Sequence, residues 1–535
     1  MRTILKTAGL LLCAGAVFAA SPDARACGCF APPDPSVPVV QAGERILFAL
    51  DGNKVTSHIQ IQYAGDAKDF GWILPLPSLP SLQLGSDELF TQLIAQTQPK
   101  YRLNFGSSCN RGGVNFGASE DAPSPATNGG AGGPLVVQDS IGPYDYAVLK
   151  ADNKDEMLNW LKTNRYVIPV GTDDAVTPYI HPGAYFLALK LKSGKRAGDV
   201  QPVVVNYNSD LPMIPIVLTS VAANPDMGIQ VWMLGSGRAI PRNYYHTVIN
   251  EAVINWQNAG ANYNEVIIRA TKEAKERHTF VTEYAGTASI MRSLLNSPGR
   301  FGVRADFEKI TDPVLYTQSL LANGFLPPQN NNGGFPQQQV FSGPLLAILQ
   351  GYIPMPQSLL NEGVTAGQYY AQLFYYLGDY RRQHASEFNG LDFNYDPLKL
   401  TKEIWDRVVT PTLGAGKLFD AYSYLTRLYT TLSPENMNRD PVFSYNPELP
   451  DVSNVHNATI DYHCDIFGKS TGATIRTDSG YIIELPDGNT PTVNPATLPA
   501  SERIEILRET GAPEVVTDNL SMIKSSLGSN GGCSV

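Results

Sequence analysis

Long apolar segments are missing from this chain after residue 20. A transmembrane helix needs about 20 consecutive, mostly apolar residues. The best later run, Met213 to Val221, is interrupted by Pro215 and is soon followed by Pro225. We therefore expect no transmembrane span once the N-terminal segment described below has been removed.

Basic residues are also in short supply. The 535-residue chain has 40 Lys and Arg against 50 Asp and Glu, a formal net charge of −10. An acidic surface repels phosphate backbones, so nucleic acid is not an expected partner. The length predicts roughly two to four domains.

The first 26 residues have the order of a secretory signal peptide. Arg2 and Lys6 form a basic start, Thr7 to Ala20 is uncharged and largely apolar, and Ala24-Arg25-Ala26 resembles a cleavage site. The alternative is a core helix at the N-terminus. We expect an exported protein that begins at Cys27 and resides in the periplasm, on the outer cell surface or outside the cell. Cleavage there leaves 37 basic and 49 acidic residues, a net charge of −12.

Cysteine is rare, and an exported chain would meet oxidising conditions that favour disulfides. Five cysteines remain after cleavage, and all are candidate disulfide partners: Cys27, Cys29, Cys109, Cys464 and Cys533. An odd number leaves one thiol free, lipidated or paired between chains. Lipid attachment to Cys27 is disfavoured by the preceding Ala24 and Arg25, and it stays an alternative.

Residues 45–76 show strand patterns. Arg45 to Leu50 predicts a short strand, and Asp51-Gly52-Asn53 is a hairpin turn signal. In Val55 to Tyr63 apolar residues alternate with polar ones, which predicts a strand with one face in solvent. The residues of that face are Thr56, His58, Gln60 and Gln62. Phe70 to Leu76 is expected to be a buried strand, and Ser86 to begin a helix with acids in its first turn.

Further elements follow the same kinds of pattern. The additional predicted strands are Tyr144–Lys150, Tyr185–Leu191, Pro202–Tyr207, Pro215–Thr219 and Ile229–Leu234, with a turn at Lys192–Lys195 and a hairpin at Ile475–Leu485. The predicted helices are one capped by Asp152 or Asn153, then Asn264–Arg277, Thr365–Glu387, Leu398–Val409 and Leu418–Thr431.

The fold class predicted from these elements is α+β, with a mixed, mainly antiparallel sheet domain, a mostly helical region and an irregular C-terminal tail. Residues 105–134 are rich in Gly, Ser, Ala, Asn and Pro, and we expect a mobile loop there. The predicted divisions are a signal peptide at 1–26, an α+β domain at 27–325, a Pro/Gln/Asn/Gly linker at 326–340, a helical region at 341–440 and a C-terminal region with short strands at 441–535.

Two patterns resemble metal sites, and each has a stronger structural interpretation. Cys27-Gly28-Cys29 with His463-Cys464 offers soft ligands, but the spacing fits no standard zinc motif and disulfides are favoured. Asp392, Asn394 and Asp396 are spaced as in an EF-hand loop, yet Pro397 stands where that loop needs glycine. We expect Asp396 to cap a helix instead. No metal-binding or cofactor-binding residues are predicted.

Catalytic motifs are equally weak, and catalytic residues stay unknown. Gly235-Ser236-Gly237 follows a predicted strand but lacks the full nucleophile elbow. None of the seven histidines lies in a motif that places it near a serine: His58, His181, His246, His278, His384, His456 and His463. Because a triad is defined by geometry, the sequence does not exclude one. The aromatic residues between Tyr369 and Tyr380 are expected to be core, and the run Lys272–Arg277 a solvated helix face.

Many short segments, in this order, resemble the bacterial domain-of-unknown-function family numbered 2330. They are Cys27–Phe30, Val39–Ile46, the hairpin Ile46–Tyr63, Asp69–Trp72 with Pro75–Pro77, Gly142–Asp145, Trp160–Leu161 with Tyr166, Thr282–Gly286 and Leu425–Tyr429. The resemblance implies an exported bacterial protein. It implies no activity, because the family has no assigned reaction and a shared fold does not supply one.

These observations favour a non-catalytic binding or structural role at the cell envelope, with an envelope protein or a glycan as partner. The alternative is a secreted hydrolase whose site is assembled from residues distant in sequence. A third hypothesis is a calcium- or zinc-dependent surface module. An exposed aromatic or apolar groove would favour the first hypothesis, and a cleft with convergent titratable groups the second.

Overall fold

The computed structural model describes residues 29–30, 41–61, 70–106, 135–325, 343–364, 369, 377–386 and 395–528, except positions 167, 196 and 468. The predicted signal peptide, the glycine-rich segment from 107 onward and the linker at 326–340 lie outside the described residues, as do Cys27, Cys109 and Cys533.

Twenty-one strands form four sheets in the described part of the chain. In chain order they are β1 (Cys29–Phe30), β2 (Gln41–Asp51), β3 (Lys54–Gln60), β4 (Gly71–Leu76), β5 (Ser81–Leu84), β6 (Lys100–Phe105), β7 (Leu135–Ile141), β8 (Tyr144–Lys150), β9 (Tyr185–Leu191), β10 (Val203–Asn208), β11 (Ala223–Gly235), β12 (Arg238–Pro241), β13 (Tyr245–Ile249), β14 (Thr279–Thr287), β15 (Tyr424–Leu432), β16 (Phe443–Asn446), β17 (Val455–Cys464), β18 (Ser470–Thr477), β19 (Ile482–Leu485), β20 (Ser501–Ile506) and β21 (Glu514–Asp518).

The α-helices with described bounds are mostly short. They are α1 (Asp87–Thr97), α2 (Lys154–Thr163), α3 (Thr172–Val176), α4 (Ile216–Thr219), α5 (Tyr263–Glu273), α6 (Arg304–Phe307), α7 (Pro313–Ala322), α8 (Gly343–Tyr352), α9 (Gln357–Asn361), α10 (Pro397–Ile404), α11 (Thr410–Gly416), α12 (Leu418–Ala421) and α13 (Leu520–Gly528). The class is α+β, as predicted.

A ten-stranded sheet forms the centre of the fold, in the order β21-β20-β13-β14-β15-β11-β2-β3-β10-β5. Its pairs are antiparallel except β13 with β14 and β11 with β2. A five-stranded antiparallel sheet, in the order β1-β4-β9-β8-β7, faces it. The largest apolar core lies between the two sheets and contains Trp72 and Leu189 from one and Phe48 and Val231 from the other.

Helices cover the outer faces of both sheets. Helix α1 packs Leu89 and Phe90 against Leu47 and Trp232 on the far side of the ten-stranded sheet. Helices α2 to α4 cover the far side of the five-stranded sheet. A third sheet, in the order β19-β18-β17-β6, packs against α5 and α13, and the helices between 301 and 413 build a core of their own.

Most of the predicted elements are present. The hairpin at 45–63 appears as β2 and β3, with Gly52 in the turn at φ 60°. The buried strand at 70–76 is β4, and the helix after Ser86 is α1 with Asp87 and Glu88 in its first turn. Asn153 caps α2, and Asp396 caps α10, through side-chain oxygens that accept backbone N–H groups.

Four local predictions are wrong. Pro215–Thr219 was expected to be a strand, and residues 216–219 form α4. Leu418–Thr431 was expected to be a helix, but the helix ends at Ala421 and residues 424–432 form β15. His58 is buried because α1 and its neighbours cover the face expected in solvent. Arg277, expected on a solvated face, is buried and pairs with Asp226 at 2.7 Å.

Candidate functional site

A cavity of about 120 Å³ lies between the two large sheets. Its floor is buried and its rim is partly exposed where Pro77 and Leu211 reach the surface. The lining residues are Ile46, Phe48, Ser57, Ile59, Leu74, Pro75, Leu76, Pro77, Tyr207, Ser209, Leu211, Met213 and Pro215. Because only Tyr207 among them titrates, the cavity is an apolar chamber with a few hydroxyl groups. We call it the inter-sheet cavity.

Strand alternation explains how these residues meet. In β3 the side chains of Val55, Ser57 and Ile59 point to the same face, toward the five-stranded sheet. Ser57 is therefore a polar residue at a core position of an otherwise apolar face. Opposite it, β4 contributes Leu74 and Leu76, and the pairing of β4 with β9 ends at Leu76, before Pro77.

Ser57 and Tyr207 form the polar part of the inter-sheet cavity. The Ser57 hydroxyl donates to the Tyr207 oxygen at 3.5 Å, the outer limit of a hydrogen bond. Both residues are buried. Burial raises the pKa of Tyr207 to about 12, against the smaller lowering effect of Ser57. The phenol therefore keeps its proton at neutral pH and can donate it.

A second candidate site is a buried cluster around His246, which we call the His246 cluster. His246 Nδ1 lies 3.2 Å from Glu505 Oε2, and His246 Nε2 lies 3.1 Å from Thr282 Oγ1. Arg238 completes the cluster, with its NH2 group 3.3 Å from His246 Nε2 and 3.1 Å from Thr282 Oγ1. The order hydroxyl, imidazole, carboxylate is that of a catalytic triad.

The sheet itself brings these residues together. His246 of β13 is directly opposite Glu505 of β20 and Phe280 of β14, and Thr282 lies two residues beyond Phe280. Since β13, β14 and β20 are adjacent strands, the side chains on one face are neighbours. Residues 246, 282 and 505 are far apart in sequence and show no common motif, so strand pairing is the signal that the sequence alone lacked.

Burial determines the charge state of the His246 cluster. Burial lowers the pKa of His246; the hydrogen bond with Glu505 opposes this effect and the charge of Arg238 adds to it. The imidazole is therefore neutral at pH 7. The partners assign its proton to Nδ1, which donates to Glu505, and leave Nε2 as an acceptor. Burial alone would raise the pKa of Glu505, but the hydrogen bond from His246 and the charge of Arg503 lower it overall.

The two candidate sites differ in how far solvent and ligands can reach them. The exposed fractions are 4% for His246, 7% for Thr282, 5% for Glu505 and 7% for Arg238, and none of the four lines the inter-sheet cavity. A catalytic nucleophile must be accessible to the substrate. The reacting atom of the substrate must also fit about 3 Å from both the nucleophile and the oxyanion donors. In this conformation the His246 cluster joins strands and is shielded from solvent.

A third polar cluster lies where β14 and β15 pair, and each of these strands contains one of the segments in which the sequence resembles the bacterial family. Strand β14 carries Glu283 at a bulge beside Tyr284, which is paired with Arg427 of β15. Arg427 Nε donates to Glu283, and the Tyr263 hydroxyl donates to its other carboxylate oxygen at 2.8 Å. Thr282–Gly286 and Leu425–Tyr429 are thus neighbours in the sheet, and their charged residues form a buried ion pair.

The remaining sequence candidates are dispersed. Ser236 lies on the exposed turn between β11 and β12. Cys29 lies in β1 opposite Ile73, and Cys464 ends β17 at the surface. His463 Nε2 contacts the Thr474 hydroxyl at 2.9 Å. Within the described residues, no three His, Cys, Asp or Glu side chains converge as metal ligands.

Each helix in the described part of the chain is too short or insufficiently apolar to cross a bilayer. The Tyr369 segment was expected to be core, and where the structure describes it Tyr369 and Leu377 are buried in the helical core.

The first part of the chain matches a family of bacterial proteins. Residues 21–293 match the profile of DUF2330, described as uncharacterized proteins conserved in bacteria. The matched range includes β14 and ends before β15, so Leu425–Tyr429 lies beyond it. No curated protein and no solved structure matches the chain.

Proposed function

The chain belongs to DUF2330, a family of uncharacterized bacterial proteins, and from that membership we propose that it is an exported protein of the cell envelope or extracellular space with a non-catalytic binding or structural role. The observation that carries the proposal is the chemistry of the inter-sheet cavity. The described residues that line it include no carboxylate, imidazole, thiol or amine. Such a chamber supports binding, whereas catalysis requires convergent titratable groups.

The His246 cluster supports the same proposal. Its hydrogen bonds tie β13, β14 and β20 to one another and, through Arg238, to β12. Buried polar networks stabilise a particular strand arrangement through the pairs that they form, although Arg238 Nε has no partner among the described residues. The expected partners are an envelope protein or a glycan, as the sequence suggested.

A hydrolase is the second candidate, because Thr282, His246 and Glu505 form a hydroxyl–imidazole–carboxylate chain from residues distant in sequence. The deciding experiment screens the purified protein against fluorogenic esters, peptides and glycosides. We expect no turnover above buffer. Turnover that disappears in both Thr282→Val and His246→Gln, but persists in the exposed-turn control Ser236→Ala, would replace the binding proposal with the hydrolase.

Export and disulfide formation belong to the same proposal. Its support is the signal-like N-terminus and the parallel register of β6 and β17, in which Phe105 is opposite Ile460. Cys109 and Cys464 each follow that pair by four residues in sequence. We therefore infer a disulfide between Cys109 and Cys464 of β17.

Intact mass and peptide mapping of protein from its own host test this inference. We expect an N-terminus at Cys27 and a peptide that links Cys109 with Cys464 and disappears on reduction. A lipid-sized mass increment on Cys27 would make the protein membrane-anchored. Retention of the first 26 residues would contradict export by signal cleavage.

A further inference from the structure

We propose that the inter-sheet cavity binds one small apolar group, a single aromatic ring or a branched alkyl end, that carries one oxygen acceptor. The inference rests on the proposed binding role and names its ligand class. A dry apolar cavity of 150 Å³ is sufficient for benzene in a well-studied case. At about 120 Å³ this cavity is somewhat smaller, but it opens at its rim, so it has room for one ring-sized group and none for fused rings.

Apolar contact supplies the attraction. The floor consists of Ile46, Phe48 and Ile59 from the ten-stranded sheet and Leu74 and Leu76 from the other, all buried. The removal of apolar surface from water stabilises a bound group in proportion to its area. The described lining residues include no charged side chain, so a charged ligand would lose its hydration without a partner among them.

The hydroxyl pair supplies the selectivity. Ser57 donates to the Tyr207 oxygen, and within the described residues no acceptor is found for the Tyr207 proton. A buried donor without an acceptor has lost its water without compensation. A ligand oxygen placed near Tyr207 would accept this hydrogen bond, so an aryl or alkyl group with an alcohol, ether or carbonyl oxygen fits better than a hydrocarbon of equal size.

The entrance lies at the rim. Pro77 is exposed, and Ser209, Leu211 and Met213 are half-buried along the segment that follows β10. A ring could therefore enter between residue 77 and residues 209–213 without separation of the two sheets. Leu211 is suitable for a blocking substitution because it belongs to the rim and is absent from the apolar cores.

The test compares benzyl alcohol with toluene, which differ by one oxygen. Binding to the full-length mature protein is followed by calorimetry and by NMR contacts from the probe to the methyl groups of Ile59 and Leu74. We expect benzyl alcohol to bind more tightly than toluene. Tyr207→Phe should weaken benzyl alcohol binding roughly threefold to tenfold and leave toluene unchanged, as the loss of one hydrogen bond requires.

Leu211→Trp should abolish binding of both probes, while Leu315→Trp, the same change on an exposed site of α7, should not. Circular dichroism confirms that each variant is folded. Binding that survives Leu211→Trp, or an absence of binding by wild-type protein, would overturn the cavity proposal. Equal affinity for the two probes would overturn the role of Tyr207. Neither result resembles failure of the non-catalytic role, which would appear as His246-dependent turnover.

Discussion

His58 is a polar side chain that the fold buries, although an imidazole is better solvated in water. It lies on β3 opposite Leu47 and Val204, on the face covered by α1. Its Nδ1 atom is buried and has no hydrogen-bond partner among the residues that the structure describes. Burial lowers the pKa of His58 to about 4, so the native protein holds a neutral imidazole.

His58 should make the protein less stable in mild acid. Its pKa is lower in the folded state than its ordinary value of 6.5, so the unfolded chain binds the proton first and stability falls as pH drops from about 6.5 toward 4. Between pH 7 and pH 5 we expect this residue to cost roughly 2 kcal/mol of unfolding free energy. Urea denaturation of wild type and His58→Leu at both pH values should show a difference of that size.

The matched control for this prediction is His181→Leu, which changes an exposed histidine. Burial raises the pKa of Asp87 and Asp440 to about 6, and their effect on stability has the opposite sign in the same range. The contribution of His58 is therefore obtained by comparing the pH dependence of unfolding free energy between wild type and the two variants. The wild-type pH profile by itself would also contain the effects of the two aspartates. An identical pH dependence in His58→Leu and wild type would contradict the assignment.

The His246 cluster permits a second prediction at this scale. Glu505→Leu removes the acceptor for the Nδ1 proton and a carboxylate whose charge favours the buried Arg238 guanidinium, which should cost about 2–4 kcal/mol. Glu505→Gln keeps an acceptor oxygen and should cost less than half as much. Thermal unfolding of the three proteins provides the measurement. Equal losses would show that the hydrogen bond is unimportant and that packing alone explains the site.

At the scale of elements, local pattern was sufficient where the pattern and the burial agree. The hairpin formed by β2 and β3, the start of α1 after Ser86 and the capped starts of α2 and α10 were predictable because the signals are local. Helix α4 was not. Its N-terminus is capped by the carboxylate of Asp440, which accepts from the Val217 N–H at 2.9 Å and from the Tyr179 hydroxyl at 2.8 Å. No sequence window around Pro215 contains that residue.

Asp440 should therefore stabilise α4 from a distance. Asp440→Ala removes both acceptors and should lower the unfolding free energy by about 2 kcal/mol. Hydrogen exchange should show the loss first at residues 216–219. Asp440→Asn retains one acceptor oxygen and should recover part of the stability. Faster exchange spread evenly over the five-stranded sheet, with none concentrated in α4, would contradict the capping role.

Strand β15 illustrates the same limit. Residues 418–431 contain apolar residues at helical spacing, yet 424–432 lie between β11 and β14 and pair with both. Strand pairing on both sides outweighs a weak local preference. The inter-sheet cavity was unpredictable for a related reason: its lining comes from β2, β3, β4, β10 and the segment after β10, and only the tertiary arrangement brings them together.

At the scale of the whole molecule, β15 connects the part of the chain inside the family match with the part beyond it. The match ends at residue 293, and β15, β20 and β21 come from beyond it. Without β15, the two central strands β11 and β14 would each have an unpaired edge. The N-terminal part therefore shares its main sheet with the C-terminal part.

A mature chain truncated after residue 325 should consequently fail to fold by itself. We expect aggregation or a broad, uncooperative thermal transition, whereas residues 27–528 should unfold cooperatively. Calorimetry and size-exclusion chromatography make the comparison. A soluble 27–325 fragment with a sharp transition would show that the N-terminal part completes its sheet in another way.

The late position of β15 also has a consequence for synthesis. Strand β14 ends at residue 287 and β15 begins at residue 424, so the ribosome must add the intervening chain before the middle of the sheet can be filled. At roughly 5–20 residues per second this takes on the order of ten seconds. During that interval the apolar strands that pair with β15 have unpaired edges. We therefore expect a chaperone to bind the nascent chain and prevent aggregation until the last third of the chain has been synthesised.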